Sequence, residues 1–349
     1  MSQAGRPTIA DVAKRAGVSK GLVSFALNDR PGVAPDTRDR ILAIASEMGW
    51  TPSIRARSLS VGRAFACGLV IGRSPDVIAA DPFFPSLIAG LEDVFSISGQ
   101  VLVMAVATPG RQEAETYRGL ALDRRVDGVI LTDLRADDPR IELVESLGLV
   151  AVTLGVPAAP SPFSSVSVDD GAGIRLAVEH LVALGHRAIA HVAGPETMLH
   201  GTRRRAAFDD AIRRAGVGGR VVATDFSAAE GARATQELLD AAMPPTAIVY
   251  SNDPMAVAGL GVAQRRGLSV PRDLSITGFD DTEIGRHVHP ALTTVTTDAR
   301  GWGALAARTL LDAIDGQPPR HLSLPDPTLT IRSSTSTPPA AAVATHEGE

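Results

Sequence analysis

A chain of 349 residues has room for two or three domains and a sizeable core. Its single cysteine, Cys67, excludes an internal disulfide framework and fits a reducing compartment, and no apolar run approaches the ~18 residues of a membrane span. The net charge of −5 is unevenly divided: residues 1–63 carry ten Lys/Arg against five Asp/Glu, leaving 24 against 34 for the rest, so a basic module is joined to an acidic body. The opening MSQAGRPTIADVAKR has no apolar signal core, and the expectation is a soluble cytoplasmic protein without a secretory leader.

The first predicted element is a short helix capped by Thr8, with Asp11 three residues on in a capping-box arrangement. Ile9, Val12 and Ala13 fall on one face of it, and Ala16-Gly17-Val18 breaks it, Gly17 being free to take a positive φ. Ser19 caps a second helix with Leu22, Val23, Ala26 and Leu27 on its inner side. Two short helices around a Gly-centred turn, with small Ala13 at their crossing, spell a helix-turn-helix, whose second helix is of the kind that enters a major groove. An ordinary αα-hairpin has the same local pattern; the basic charge of this segment favours the nucleic-acid reading. A turn at Asp29-Arg30-Pro31-Gly32 leads to a third helix from Pro35 to Met48, with Ile41, Leu42, Ala45 and Met48 as its apolar stripe. Residues 1–50 thus form a helical head. Thr51-Pro52-Ser53 opens a short helical segment, Ile54 to Ser60, within a linker spanning 51–64.

From Cys67 onward strands and helices alternate. Strands are expected at Cys67–Ile71, Val101–Ala105, Gly128–Leu131 and Val150–Leu154, with helices at Phe84–Ser98, Arg111–Arg124 and Pro139–Leu147 between them. A second series follows: helix Ala172–Leu184, strand Ala188–His191, helix Gly201–Ala215, strand Arg220–Ala223, helix Ala228–Ala241, strand Ala247–Tyr250, helix Asp253–Arg266 and strand Leu274–Gly278. This alternation predicts an α/β body of doubly wound parallel sheets. Each series fills one sheet, so the body, 65–334, has two similar lobes. Helix Arg300–Ile314 and strands Leu322–Leu324 and Leu329–Arg332 cross back between them, which places 65–166 with 297–326 in one lobe and 167–296 with 327–334 in the other. The stretch 335–349, rich in Ser, Thr, Pro and Ala, reads as a disordered tail.

The order of head, linker and two-lobed body resembles the LacI/GalR family of bacterial transcription regulators. The motifs that carry the resemblance are TIADVAKRAGVS, VSFALN, TRDRILAIASEMGWTPS, DPFF, VDD, HLVALGHRAIAHVAGP, RRAAF, IVYSND, GFDDTEI and PALTTV, in one order from Pro7 to about Ser334. The resemblance implies a periplasmic-binding-protein-like body, a homodimer on a near-palindromic operator, and control by a small effector, a sugar first among the candidates, with purine nucleobases and phosphorylated metabolites also open. It also implies that Ser19 to Leu27 lies in the major groove. Lys20 then reaches guanine O6/N7 or a phosphate, and Ser24 a phosphate. The residues expected at DNA are Thr8, Ser19, Lys20, Gly21, Ser24, Phe25, Asn28 and Arg38 in the head, with Arg55, Ala56 and Leu59 in the hinge. Leu59 is the apolar wedge for the minor groove. Phe25 departs from the family's usual arginine; it either touches a thymine methyl or packs inward.

The effector is expected between the lobes, outside the carboxyl ends of the strands. Its candidate contacts are Phe83, Phe84, Arg204, Phe226, Asn252 and Asp280, with Phe84 and Phe226 stacking on its apolar face and Asp280 accepting from hydroxyls. Ala207 stands where the family's R-x-x-G-F has glycine, and Arg203 and Arg205 flank Arg204. Asp253, Asp281 and the Asp169-Asp170 pair read as helix caps, Phe83 also as core, and His200, His287 and His289 as loop residues that either border the cleft or are simply solvated. A two-lobed solute-binding protein is the competing reading; the basic head and the missing leader weigh against it. An enzyme is not expected: no strand leads into G-x-G-x-x-G, and no Walker A, G-x-S-x-G or metal cluster is present, so neither cofactor nor metal is assigned.

Overall fold

The computed structural model describes residues 7–27, 30–50 and 61–340. The chain divides into two compact units, one on each side of the Phe65–Ala66 boundary.

The smaller unit holds α1 (Ile9–Ala16), α2 (Lys20–Leu27) and α3 (Pro35–Glu47). The Thr8 N–H and hydroxyl both donate to the Asp11 carboxylate, at 2.9 and 2.7 Å, which starts α1 where the sequence places it. Those two bonds hold the Asp11 carboxyl below its ordinary pKa. Gly17 closes the helix at φ 68°, a conformation that would strain any residue with a Cβ. Ser19 Oγ then accepts from the Leu22 N–H at 3.1 Å to open α2. Val12, Ala13, Ala16, Val23, Ala26, Ile41 and Ala45 form the core of this unit, flanked by Trp50 and Met48. Leu42 was expected on the buried stripe of α3 but stands 42% exposed. Ile44 takes its place, because the three-helix junction accepts the 41/44/45/48 face.

In the larger unit the described residues form two six-stranded sheets. The first runs β11-β5-β4-β3-β1-β2 and the second β12-β10-β9-β8-β6-β7. The strands of the first are β1 (Ala66–Ile71), β2 (Val101–Val106), β3 (Gly128–Leu131), β4 (Val150–Leu154), β5 (Ser164–Ser167) and β11 (His321–Ser323). The second comprises β6 (Ala188–Ala193), β7 (Gly218–Ala223), β8 (Ala247–Tyr250), β9 (Ser275–Phe279), β10 (Thr293–Thr296) and β12 (Thr328–Thr330). All pairings are parallel except β10 with β12. Central strands such as β1 and β3 are buried along their whole length, as a sheet covered by helices on both faces requires.

The first lobe carries α4 (Pro75–Ala80), α5 (Phe83–Phe95), α6 (Arg111–Leu122), α7 (Pro139–Ser146) and the returning α13 (Ala299–Ile314). Helices α5 and α13 pack so closely that a Cβ on Gly90 would lie 1.9 Å from the Arg300 carbonyl oxygen. One on Gly303 would lie 2.2 Å from that of Leu87. Glycine is required at both positions. The second lobe carries α8 (Asp170–Ala183), α9 (Leu199–Ala215), α10 (Ala228–Leu239), α11 (Asp253–Arg265) and α12 (Glu283–His287).

Four elements had no counterpart in the sequence reading: α4, β5, α12 and β10. β5, SSVS, shows no apolar alternation, because Ser164 and Ser165 are buried on hydrogen bonds to the Arg320 N–H and the His321 ring rather than on apolar contacts. The tail expected to be disordered from residue 335 is instead pinned at its start. Ser334 Oγ donates to the Ile276 carbonyl at 2.6 Å, Thr335 meets His180 at 2.9 Å, and the Ser336 carbonyl meets His186 at 2.9 Å. Small hydroxyl residues serve here as hydrogen-bonding partners for buried strand ends. The linker segment 51–60 and residues 341–349 lie outside the described residues.

Candidate functional site

On the smaller unit, the face of α2 away from the core presents Lys20, Gly21 and Phe25 to solvent, with Ser19 just before it and Ser24 half-buried. Thr8 is also exposed. Phe25 does not pack inward: its ring is 41% exposed, with the Arg30 guanidinium 5.8 Å from its centroid. Arg38 donates to the Arg30 carbonyl at 2.7 Å and so fastens the turn after α2 to α3. Asn28, Arg55, Ala56 and Leu59 fall outside the described residues.

In the larger unit a cavity opens between the two sheets, at the carboxyl ends of their strands. Arg73 follows β1, Asp133 follows β3, Asp170 follows β5, Phe226 follows β7, Asn252 follows β8 and Asp280 follows β9. His200, Arg203 and Arg204 come from the first turns of α9, after β6. The apolar lining comes from Phe83, Trp302, Leu134 and Leu154 of the first lobe, with Leu199 and Phe226 of the second. Phe83 and Trp302 meet edge to face with centroids 5.9 Å apart.

Arg73 and Arg204 of the cavity are already matched with carboxylates. Arg73 donates through Nε and Nη2 to the two oxygens of Asp133, at 2.7 and 2.5 Å, with Asp81 3.8 Å away. Burial alone would raise the Asp133 pKa, but the charge and hydrogen bonds of Arg73 bring it down to about 2. Arg204 donates to Asp170 Oδ1 at 3.1 and 2.7 Å and to the Ser251 carbonyl at 2.7 Å, and its guanidinium lies 3.7 Å from the Phe279 ring centroid. Arg203 donates to the Val156 carbonyl of the other lobe at 2.6 Å. Among the described residues Asp280 has no such partner beyond the Thr297 hydroxyl at 3.4 Å, and burial pushes its carboxyl up to about 8. His200 is pushed down to about 4 by burial, so its ring is neutral at pH 7. Asp133, Phe226 and Asp280 all carry positive φ (52°, 73° and 101°). Each such residue costs of order 1–3 kcal/mol, and such strain clusters at ligand sites.

Five of the six residues expected at the effector line this cavity: Phe83, Arg204, Phe226, Asn252 and Asp280. Phe84 does not. It is fully buried in the first lobe's core, and Phe83, its neighbour on α5, turns to the cavity instead. Phe226 is at the cavity with its ring already stacked on His200 at 5.2 Å and facing the Arg73 guanidinium at 4.9 Å. Asn252 is partly committed as well: its Oδ1 caps α11 through the Met255 N–H at 3.0 Å, and its Nδ2 donates to the Phe226 carbonyl at 3.0 Å. The cap assigned to Asp253 therefore belongs to Asn252, and Asp253 accepts instead from Thr282 and Thr294 in the interior. Asp281 is no cap either, but pairs with Arg332 and Arg286. Of the Asp169-Asp170 pair, Asp169 caps α8, accepting from the Ala172 N–H at 2.9 Å, while Asp170 turns to Arg204. The flanking arginines separate cleanly, since Arg205 is exposed and pairs with Glu196. His200, expected in a loop either bordering the cleft or solvated, does line the cavity, but from the first turn of α9 and against Phe226; His287 and His289 do not line it. Arg73, Asp81 and Asp133 were not anticipated, although the strand-end rule that found Asp280 also marks Arg73 and Asp133.

Among the described residues no group of His, Cys, Asp or Glu is arranged to hold a metal ion, and no helix is long and apolar enough to cross a membrane.

Comparison with known proteins gives two family matches. Residues 8–53 match the model for bacterial regulatory proteins of the lacI family, and residues 178–335 match a periplasmic binding protein-like domain. The HTH-type transcriptional regulator CelR of Thermobifida fusca is 33% identical over 324 residues, 91% of this chain and 94% of that protein. Among solved structures, the CelR–cellobiose complex is similar with a TM-score of 0.73 at 32% identity, covering 94% of this chain and 100% of that one. The lac repressor dimer bound to operator and the anti-inducer ONPF has a TM-score of 0.80 at 28% identity, covering 95% of this chain and 99% of that one.

Proposed function

The chain belongs to the lacI family of bacterial regulatory proteins, a DNA-binding transcriptional regulator and not an enzyme, and from that premise we propose that it is a homodimeric repressor governed by a neutral, polyhydroxylated small molecule bound between its lobes. The observation that carries the ligand class is the charge balance of the cavity. Its three guanidiniums are each engaged, by Asp133, by Asp170 and by the Val156 carbonyl. A phosphorylated ligand drawing on Arg73 or Arg204 would have to displace a buried ion pair, at a cost of ~3–5 kcal/mol for the carboxylate left behind; at Arg203 it would compete only with the Val156 carbonyl. A sugar asks for less. Its hydroxyls can donate to Asp280 and accept from Asn252 and Arg204, and its C–H face can rest on Phe83 and Trp302. The solved complex of CelR with cellobiose supports the same class.

The DNA contacts follow from the exposed face of α2: Lys20 and Ser24 to phosphate or base edge, and Phe25 to a thymine methyl. Arg55, Ala56 and Leu59 are assigned to the hinge on sequence alone. Residues 1–50, 51–64 and 65–334 are proposed as head, hinge and effector-binding and dimerisation body. The free edge of β2, with Val101, Met104 and Val106 each more than two-fifths exposed, is an uncharged strand edge of the kind a second copy covers. Two heads on a two-fold axis match two half-sites. Lobe closure around the effector then biases which hinge geometry is available to DNA. Operator DNA places the working protein in the bacterial cytoplasm, on the nucleoid.

Selection from a random duplex pool tests this reading. It is expected to return a near-palindromic site whose affinity changes when the matching sugar is added. Recovery of a single unpaired half-site, or affinity indifferent to every neutral sugar tried, would count against the homodimer and the effector respectively.

A further inference from the structure

Behind the cavity wall of the first lobe lies a buried ion-pair cluster, none of whose members lines the cavity. Arg140, 2% exposed on α7, donates to Asp138 at 2.8 and 2.6 Å and to Glu113 at 3.1 Å. The same guanidinium donates to the carbonyls of Thr132 at 2.8 Å and Asp133 at 3.0 Å. Glu113 and Asp138 in turn hold Arg135, by its guanidinium at 2.9 Å and its N–H at 3.1 Å. The loop 132–135 is therefore fixed from behind at Thr132 and Asp133 and again at its end, Arg135. Asp133 needs that support, since a non-glycine φ of 52° persists only where the surroundings over-determine it.

From its front the same loop reaches the second lobe directly at Leu134–Arg135 and, through Arg73, from Asp133. Asp133 clamps Arg73, whose guanidinium lies 4.9 Å from the Phe226 ring centroid. The Leu134 carbonyl accepts from the Leu199 N–H at 2.7 Å. Arg135 forms an antiparallel bridge with Met198. Leu199 is the first residue of α9, so its N–H belongs to the set a helix cannot satisfy internally. The opposing lobe supplies the missing acceptor.

We infer that Arg140 is a positioning residue for the cleft: by gripping the carbonyls of Thr132 and Asp133 it presents residues 133–135 to the second lobe and so sets how firmly the two lobes latch. The inference rests on the reading of the cavity as an effector cleft, but its test needs no effector. Arginine is required because its planar fork spans the carboxylates and both carbonyls at once, whereas an ammonium is a single point of attachment.

Hydrogen–deuterium exchange of the full chain, followed by mass spectrometry on peptides covering 196–204, reads the latch directly. Arg140→Met alone would strand two buried carboxylates, so it is combined with Glu113→Gln and Asp138→Asn. The Leu199 amide is expected to exchange at least ~10-fold faster in this variant, with the β6 amides 188–193 unchanged. Arg140→Lys, which keeps the charge and the fold, is expected to give a smaller acceleration at the same amide. Wild-type protection of Leu199 in either folded variant would overturn the inference, as would acceleration spread equally over β6, which would mark a merely structural role. If the triple variant does not fold, Arg140→Lys decides alone. A blank ligand screen would leave the exchange result standing, and wild-type exchange would leave the ligand assignment standing.

Discussion

Arg73 and Asp133 face each other across the ends of β1 and β3 in a two-pronged ion pair, Nε to Oδ2 at 2.7 Å and Nη2 to Oδ1 at 2.5 Å. Both side chains are less than a tenth exposed, and both line the cavity. The pair cancels, at the cavity wall, the Arg73 charge that an anionic ligand would otherwise meet.

Asp133→Asn is expected to destabilise the body by up to ~3 kcal/mol in chemical denaturation, since it removes the two-pronged partner of Arg73 and leaves only Asp81, 3.8 Å away, to compensate the buried charge. It should also turn ligand preference toward phosphorylated sugars, readable by calorimetry. The wild-type pair contributes to pH dependence in a defined direction. With its folded pKa near 2, below the ordinary value of 3.8, Asp133 stabilises fully above about pH 4 and loses that contribution, ~2 kcal/mol, as the pH falls through 2. Urea titrations at several pH values should show this slope in the wild type and lack it in the variant.

Asp280 works in the opposite sense. Its folded pKa, about 8, lies above its ordinary 3.8, so stability is greatest below pH 4 and declines as the pH rises toward 8. Asp280→Asn should therefore raise the melting temperature of the body at pH 8, by roughly 1–3 kcal/mol in stability, and leave it unchanged at pH 4. Its response to sugar should disappear at both pH values. Equal melting temperatures at pH 8 would show that the carboxyl is not held neutral.

Two glycines of the first lobe should respond with opposite signs to alanine. Gly90→Ala drives a methyl into the Arg300 carbonyl, and is expected to cost 1–3 kcal/mol or more by separating α5 from α13. Gly119→Ala on α6 meets nothing within 4 Å, and is expected to stabilise by up to ~1 kcal/mol through helix propensity. Thermal unfolding of the two single variants separates them.

These particulars show where sequence pattern was informative. The strand-helix grammar from Ala66 onward was legible because buried parallel strands are continuous apolar runs between amphipathic helices. The head was legible through Thr8, Asp11, Gly17 and Ser19, whose chemistry is local. Phe83 and Phe84 were exchanged in role because adjacent helical residues point some 100° apart, and only packing against α13 fixes which one enters the core. Asp170 and Asn252 stand one residue from Asp169 and Asp253, and the cap could not be told from the ligand-facing group at that spacing. The partnership of Arg73 with Asp133 joins residues 60 apart, and nothing local announces it.

On the head, Lys20→Ala should weaken operator binding about equally for all sequences and reduce the salt slope by ~1 if the lysine meets phosphate, whereas loss of preference at one base pair would assign it to guanine. Phe25→Ala should relax discrimination at a thymine by ~1–3 kcal/mol. Fluorescence anisotropy on single-substitution operator duplexes distinguishes these outcomes.

The most direct test of the effector assignment is a thermal-shift comparison of the full chain against cellobiose, other neutral sugars and their phosphate esters, repeated with Asp280→Ala. A neutral sugar at ~100 times its dissociation constant should stabilise the protein by roughly 2.7 kcal/mol, its phosphate ester should not, and the shift should vanish in the variant. Stabilisation by the phosphate ester alone, or a sugar shift that survives in Asp280→Ala, would contradict a neutral ligand held by Asp280 in this cleft.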